Sequence, residues 1–458
     1  MATPPPAPTP RTQHVDADRM YRKVSVHVMP FLVISFVVAF LDRVNIGFAQ
    51  FQMKHDLGFS DAIYGLAAGM FFIGYMLFEV PSNLLLHRIG AKRTFSRIMV
   101  CWGAVSIAMA FARTPTILYV LRFLLGLFEA GFFPGIVLYL SYWYPARYRA
   151  SRTSWIFAAM ATAGVIGGLT AGVIMTQLEA AMGLRGWQWL FIVEGFPAVM
   201  LGVIALLWLT DSPADAKWLN ENERAYLLDE LARDHVNLAR VEEQQSWPHA
   251  FRSPALYALA FVYFTLCSIT MAMNFWLPTL VKEAGAGTLA NTGFLTAVPF
   301  AAGVLAIIFV AKQSDRRRER RFHYIVPTVM GCVALLVLAF AKLPLFGTVI
   351  LLCIGVAGTF SALPVFWSMP HEFLSKQAAA GGLALISSVG ALGAFFSPTA
   401  IGWARTNLGT MQPAMLLIIL MSLAACVVVY VLLATRNNQT RDRTDTHSGP
   451  IADIKLGH

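Results

Sequence analysis

Apolar runs of eighteen or more residues recur along the whole chain, the length a helix needs to cross the roughly 30 Å hydrocarbon core of a bilayer. Set against the polar breaks, they predict spans near residues 24–46, 61–83, 95–112, 116–141, 152–178 and 188–209. A second set follows near 255–281, 292–312, 324–341, 345–367, 379–403 and 411–434. Between the sets lies a polar stretch, 210–252, opening DSPADAKWLNENERAYLLDELARD. Asn220 can cap a helix there with Glu223 as its capping-box partner, and Leu227, Leu228 and Leu231 form a narrow apolar stripe, so a surface helix is predicted.

The chain thus divides into a Pro-rich polar tail (1–22, expected to be disordered), a first six-helix bundle (23–210) and a linker with a surface helix (211–252). A second six-helix bundle (253–435) and a second polar tail (436–458) expected to be disordered follow. Residues 1–20 lack the apolar core of a secretory signal, which leaves the first span to direct its own insertion. HRIGAKR (His87 to Arg93) after the second span matches DRRRERR (Asp315 to Arg321) after the eighth, 228 residues on. That repeat implies a duplicated six-helix unit, with Arg88, Lys92, Arg93, Asp315 and Arg316 as a paired loop motif. Parallel repeats about an axis along the membrane normal place a substrate site near the midplane between halves. The predicted fold class is all-α, with twelve transmembrane helices in two pseudo-symmetric bundles.

Composition agrees: 57% of residues are hydrophobic and 13% charged, against about a quarter charged in an ordinary soluble domain. The net charge of +10 comes from basic clusters between apolar runs, which lipid headgroups account for, so no nucleic acid is expected as partner. Arg88, Lys92 and Arg93, Arg147, Arg149 and Arg152, and Lys312 with Arg316 to Arg321 share one face; Lys54, Arg113, Arg185, Lys282 and Lys342 share the other. Positive loops are cytoplasmic, which puts both termini and the linker inside and requires an even number of spans. The five cysteines fall inside apolar runs without C-x-x-C spacing, which indicates neither disulfides nor a metal site.

An ionisable side chain at bilayer depth costs roughly 2.5–3.5 kcal/mol on the insertion scale and marks a candidate site. The first-half spans carry Asp42, Arg43, Glu79, Arg122, Glu129 and Glu194; the second half offers only His371 and Glu372, near the end of the tenth. Asp42 and Arg43 are neighbours about 100° apart on a helix, so one is expected to face the cavity and the other a helix contact. Arg122 and Glu129 share a face about 10.5 Å apart, so each is expected to meet a group from another helix. At least one arginine is assigned to a substrate carboxylate, because guanidinium binds carboxylate bidentately and keeps its charge. Asp42 and Glu129 then become proton carriers; the alternative is that Arg122 and Glu129 merely orient helices. For Glu79 and Glu194, each near a helix end or a proline, satisfying backbone donors is the favoured role. Asn274, Trp276, Trp367, Ser368, Ser387 and Ser388 can complete the cavity from the second half. Gly164, Gly168 and Gly172 recur every four residues and let a neighbouring helix approach.

The segments LDRVNIGFA (Leu41 to Ala49), GYMLFEVPSNLLLHRIGAKR (Gly74 to Arg93), RFLLGLFEAGFFPG (Arg122 to Gly135) and SPADAKWL (Ser212 to Leu219) carry a resemblance. The chain resembles the anion:cation symporter family of the major facilitator superfamily, which includes tartrate, phthalate, hydroxyphenylacetate and sugar-acid permeases. The resemblance implies roles in proton coupling and substrate recognition for Asp42, Arg43, Arg122 and Glu129, and a substrate contact for Tyr75. The sequence departs from the pattern at His87, which replaces the acidic residue of the loop motif, and at Met160, where sugar-acid carriers have a polar amide. The fifth span also lacks the G-P-x-x-G-G stretch of drug:proton antiporters, which favours uptake over export. The resulting expectation is a monomeric proton:organic-anion symporter of a bacterial-type plasma membrane, working by alternating access among membrane lipids without a cofactor. A proton-independent exchanger or facilitator is the alternative. No nucleophile with its base appears in the spans to support an enzyme, and residues 435–458 are short for the output region of a sensor.

Overall fold

The computed structural model describes residues 16–242, 253–317, 319–373 and 379–447; the side chains of His87, His371 and Glu372 lie outside this description. The first span runs through Ala17–Val44 and Ile46–Leu57, the second is Asp61–Ile89, the third Ala91–Met109, and the fourth runs through Pro115–Glu129 and Phe132–Trp143. The fifth is Ala146–Gln177 and the sixth Gly186–Trp208. The second half follows with Pro254–Val281, Leu289–Arg317, Arg321–Phe340, Leu345–Ser368, Ala379–Leu408 and Gln412–His447 as the seventh to twelfth. Among the described residues there is no strand. Eleven units among those residues are long and apolar enough to cross a bilayer. The third span is the exception because Lys92, Arg93 and Arg97 crowd its first two turns; the long stems of such residues let their charges reach the interface.

Helix extends further at both ends than apolar content alone predicts. Asp16 caps the first span, accepting from the Arg19 N–H at 3.1 Å, and Met20 and Tyr21 are buried beside the linker helix. The twelfth continues to His447, past the boundary expected at 435, because a helix can leave the bilayer without losing its internal hydrogen bonds. Residues 1–15, 243–252 and 448–458 lie outside the described residues.

The linker helix is Glu221–Glu242. The Asn220 side chain accepts from the Glu223 N–H at 2.7 Å, and the Asn220 N–H donates to the Glu223 carboxylate at 2.9 Å. Leu227 and Leu231 are buried while Leu228 is exposed, so the stripe has a tilt of one residue. The helix is bolted to the first bundle: Tyr21 donates to Glu230 at 2.8 Å, Lys23 pairs with Glu223 at 2.9 Å, Arg147 with Glu230 at 2.5 Å and Arg149 with Asp234 at 2.7 Å. Asn220→Ala is expected to destabilise this helix by about 1 kcal/mol, the usual worth of an N-cap. Faster amide exchange over residues 221–227, with the spans unaffected, is the readout.

The two halves meet on the side away from the linker, along two seams of glycine. A Cβ on Gly65 would lie 2.3 Å from the Pro398 carbonyl oxygen, and one on Gly402 would lie 2.3 Å from that of Asp61, joining second and eleventh spans. A Cβ on Gly293 would lie 2.3 Å from the Gly168 carbonyl oxygen, and one on Gly172 would lie 2.6 Å from that of Leu289, joining fifth and eighth. The helix that the small-residue face of the fifth span admits therefore belongs to the other half. Polar contacts cover the seams: Tyr64 donates to the Phe275 carbonyl at 2.7 Å and the Ala62 N–H to Thr406 at 2.8 Å. Outermost stands a four-charge cluster, in which Lys54 pairs with Asp61, Arg405 with Glu283, and Arg405 with Asp61 at 3.1 Å.

Candidate substrate and coupling site

The fourth span is interrupted beside the charges it carries, breaking at Ala130 (ψ 134°) and Gly131 (φ 83°) directly after Glu129, while the first keeps helical dihedrals through Asn45 (φ −57°, ψ −30°). The left-handed φ at Gly131 suits glycine, since a side chain there is strained. Second and fourth spans touch backbone to backbone: a Cβ on Gly126 would lie 1.9 Å from the Phe71 carbonyl oxygen, and one on Gly74 would lie 2.2 Å from that of Phe123. This close approach lets Glu129 and Arg122 reach the first span.

Asp42 and Arg43 point apart. Asp42 is fully buried against the third span, accepting from Ser106 Oγ at 2.5 Å and from Trp102 Nε1 at 3.2 Å. Arg43 turns the other way, keeps 15% exposure of its side chain and pairs through Nη2 with Glu129. Its guanidinium stands 5.4, 4.8 and 5.5 Å from the ring centres of Phe40, Phe71 and Tyr75, contacts worth about 0.5–2 kcal/mol each when desolvated. Arg43 Nε and Glu129 Oε2 are buried without a partner, so both members of the pair hold hydrogen-bonding capacity in reserve.

Arg122 does different work. It is wholly buried and donates to three backbone carbonyls, those of Ala67 at 3.3 Å, Asp42 at 3.5 Å and Arg43 at 3.0 Å. It thereby clamps the first span to the second and fourth.

Among the described residues, the second half contributes few polar groups. Asn274 donates to the Thr270 carbonyl of its own helix at 2.9 Å and leaves Oδ1 without a partner, and the buried Trp276 Nε1 also has none. Trp276 meets Tyr64 edge-on at 5.0 Å across the halves. Trp367 packs against Tyr263 at 4.9 Å, and Ser387 and Ser388 are half-buried on the eleventh span. In the loop motif, the Lys92 N–H donates to Asp211 at 2.8 Å beside Gly90 (φ 85°), and Asp315 pairs with Arg320 at 2.6 Å; Arg88, Arg93 and Arg316 are exposed. Glu79 is half-buried on the second span. Glu194 is buried beside Thr170 and Asn45, not at backbone donors as the nearby proline suggests.

Sequence reasoning missed the groups that hold these charges. Trp102, Ser106, Phe40 and Phe71 carry no charge or motif that sets them apart from the other residues of their apolar runs. Arg405 lies beyond the apolar run that marks the eleventh span, although the helix carries it inside the protein.

A family model described as Major Facilitator Superfamily matches residues 32–398. A "Putative tartrate transporter" of Agrobacterium vitis is 41% identical over 91% of this chain and 95% of its own length. The "Putative metabolite transport protein NicT" of Pseudomonas putida is 38% identical over 93% of this chain and 98% of its own. Among solved structures, an inward-facing, unoccupied bacterial homologue of the human lysosomal transporter Spinster superposes with a TM-score of 0.70 at 15% identity, covering 89% of this chain and 96% of that one.

Proposed function

The chain belongs to the Major Facilitator Superfamily, and on that premise we propose that it is a proton-coupled uptake carrier for a small organic anion in a bacterial inner membrane, with both termini in the cytoplasm. The observation that carries this reading is the Arg43–Glu129 pair: a guanidinium with donors in reserve, reachable by solvent, held by a buried carboxylate that has nothing else to pair with. The name of one relative, a putative tartrate transporter, agrees with a carboxylate as cargo.

The chemistry follows from competition for one fork. A substrate carboxylate and Glu129 compete for the donors of Arg43: Glu129 holds Nη2 while Nε stands unpartnered, and a bidentate grip on the substrate would take both. A proton arriving on Glu129 from outside neutralises it and releases Arg43 to the incoming anion; Asp42, behind the same helix, takes a second proton. The halves then part on the far side, rock about the midplane and close again. Inside, the anion leaves, Glu129 gives up its proton and recovers Arg43. Sealed outer seams together with a closed Arg43–Glu129 pair fit the emptied, cytoplasm-facing stage of that cycle. Two protons carried with a monoanion move one net positive charge inward, which supplies about 2.3 kcal/mol per 100 mV, more than the roughly 1.4 kcal/mol of a tenfold concentration ratio; with a dianion the same cycle is electroneutral and draws on the pH gradient alone.

The test begins with a thermal-shift screen of the purified protein against tartrate, phthalate, hydroxyphenylacetate and galactonate, since a ligand that binds only the folded form stabilises it. In liposomes, Asp42→Asn and Glu129→Gln are then expected to lose accumulation driven by an acid-outside gradient while still exchanging labelled for unlabelled anion. Wild-type uptake that ignores an imposed pH gradient would favour the exchanger or facilitator, and hits confined to neutral sugars or cations would remove the anion.

A further inference from the structure

A carboxyl that the cycle above does not use lies on the opposite face of the first span. Glu194, on the sixth span, is 6% exposed. Its Oε1 is 3.4 Å from Thr170 Oγ1 and its Oε2 has no partner. Thr170 has one hydroxyl proton to serve two acceptors, the Ile166 carbonyl at 2.9 Å and Glu194 Oε1 at 3.4 Å, and the carbonyl is the nearer. Asn45, 2% exposed, lies beside Glu194 outside ordinary hydrogen-bond geometry, with neither Nδ2 nor Oδ1 partnered.

Asn45 stands three residues after Asp42 and so shares its helix face. Asp42 is the charged group that faces Glu194. The third span meets the sixth here through Gly103 and Ser106, which pack on Gly195, and the fifth brings Thr170. Both arginines of this region are committed elsewhere, Arg43 to Glu129 and Arg122 to backbone carbonyls.

The hydrogen bonds distinguish the two carboxyls. Asp42 accepts one donor on each oxygen, from Ser106 and Trp102, as a carboxylate does. Glu194 has within reach only one hydroxyl, at 3.4 Å and shared with a backbone carbonyl, its Oε2 has no partner, and among the described residues no cation pairs with it, so a buried group in that position neutralises instead. One proton on Glu194 removes the uncompensated charge.

We propose that Glu194 is a further proton-binding residue that carries a proton in the state described here, on the face of the first span that also bears Asp42. A proton entering from outside then has Glu194 as well as Asp42 to load. The transport consequence rests on the proton-coupled reading above; the location of the proton does not.

Infrared difference spectroscopy of the full-length protein in liposomes, without any substrate, reads the proton directly. The expected result is a protonated-carboxyl C=O band at neutral pH that Glu194→Gln removes, that Thr170→Val shifts without removing, and that Asp42→Asn retains. A band unchanged in Glu194→Gln overturns the proposal, as does a wild-type band that disappears when sodium replaces potassium, which would assign the pocket to a metal cation. In uptake assays with an acid identified by the screen, Glu194→Gln should move the pH of half-maximal uptake by a unit or more and leave KM within threefold; an unmoved pH profile overturns the coupled role. Uptake indifferent to pH in the wild type, with the band lost in Glu194→Gln, would refute proton coupling and leave the proton site standing.

Discussion

Replacing Arg43 with Gln is expected to lower uptake by at least a hundredfold. Two costs combine. The substrate loses its bidentate anchor, and Glu129, 1% exposed, loses its hydrogen-bonded cation and keeps only the more distant Arg122, which is committed to backbone carbonyls. Removing one partner of a buried, hydrogen-bonded charge pair costs about 2–5 kcal/mol, or roughly thirty- to several-thousandfold. Arg43→Lys should recover little, because an ammonium keeps the charge but cannot offer a planar fork to a carboxylate while stacking among Phe40, Phe71 and Tyr75. Arg122→Gln should separate from both by failing earlier: its three backbone acceptors are structural, so a lower yield of folded protein is the expected result. Initial uptake rates beside melting temperatures distinguish the two arginines. An Arg43→Gln protein that accumulates anion at the normal rate would remove the central assignment.

Gly293→Leu should hold the transporter open on the side away from the linker. The added side chain begins 2.3 Å from the Gly168 carbonyl oxygen, and two helix backbones have no flexible atoms to move aside. Overpacking of this kind costs about 1–3 kcal/mol in a core that can relax and more where backbone is struck, enough to shift a two-state balance by ten- to a hundredfold or beyond. Hydrogen exchange in residues 61–66 and 402–406, where the other seam would also part, should quicken, and net uptake should fall at least tenfold while the protein stays folded. Exchange indistinguishable from wild type in those segments would show that the seam does not govern which side is closed.

What the sequence makes legible here is what depends on cost or on local spacing. Asp42, Arg43, Arg122 and Glu129 stand out because charge in hydrocarbon is expensive, and the Asn220–Glu223 capping box is a three-residue pattern that needs no tertiary context. Arg122 shows the limit: composition and position are the same whether a guanidinium faces a ligand or three carbonyls, and only the path of the first span decides. The break at Ala130–Gly131 sits inside an apolar run, where hydropathy has no contrast to register. Arg405 finds its acids across 122 and 344 residues of sequence, Glu283 and Asp61, and a pairing of that range leaves no periodic trace. The third span was legible as apolar, yet its three leading basic residues place it at the edge of any hydropathy criterion.

The outer four-charge cluster bears on how fast the two faces can alternate. Lys54 and Asp61 both belong to the first half, and Arg405 and Glu283 both to the second, so parting severs the Arg405–Asp61 contact and keeps each domestic pair intact. Neither half carries away a bare ion, and the electrostatic work of opening stays close to that of one solvent-touched contact, which exposed pairs put at about 0–1 kcal/mol. A gate assembled from self-neutral halves can hold shut by geometry and still swing with little energetic resistance.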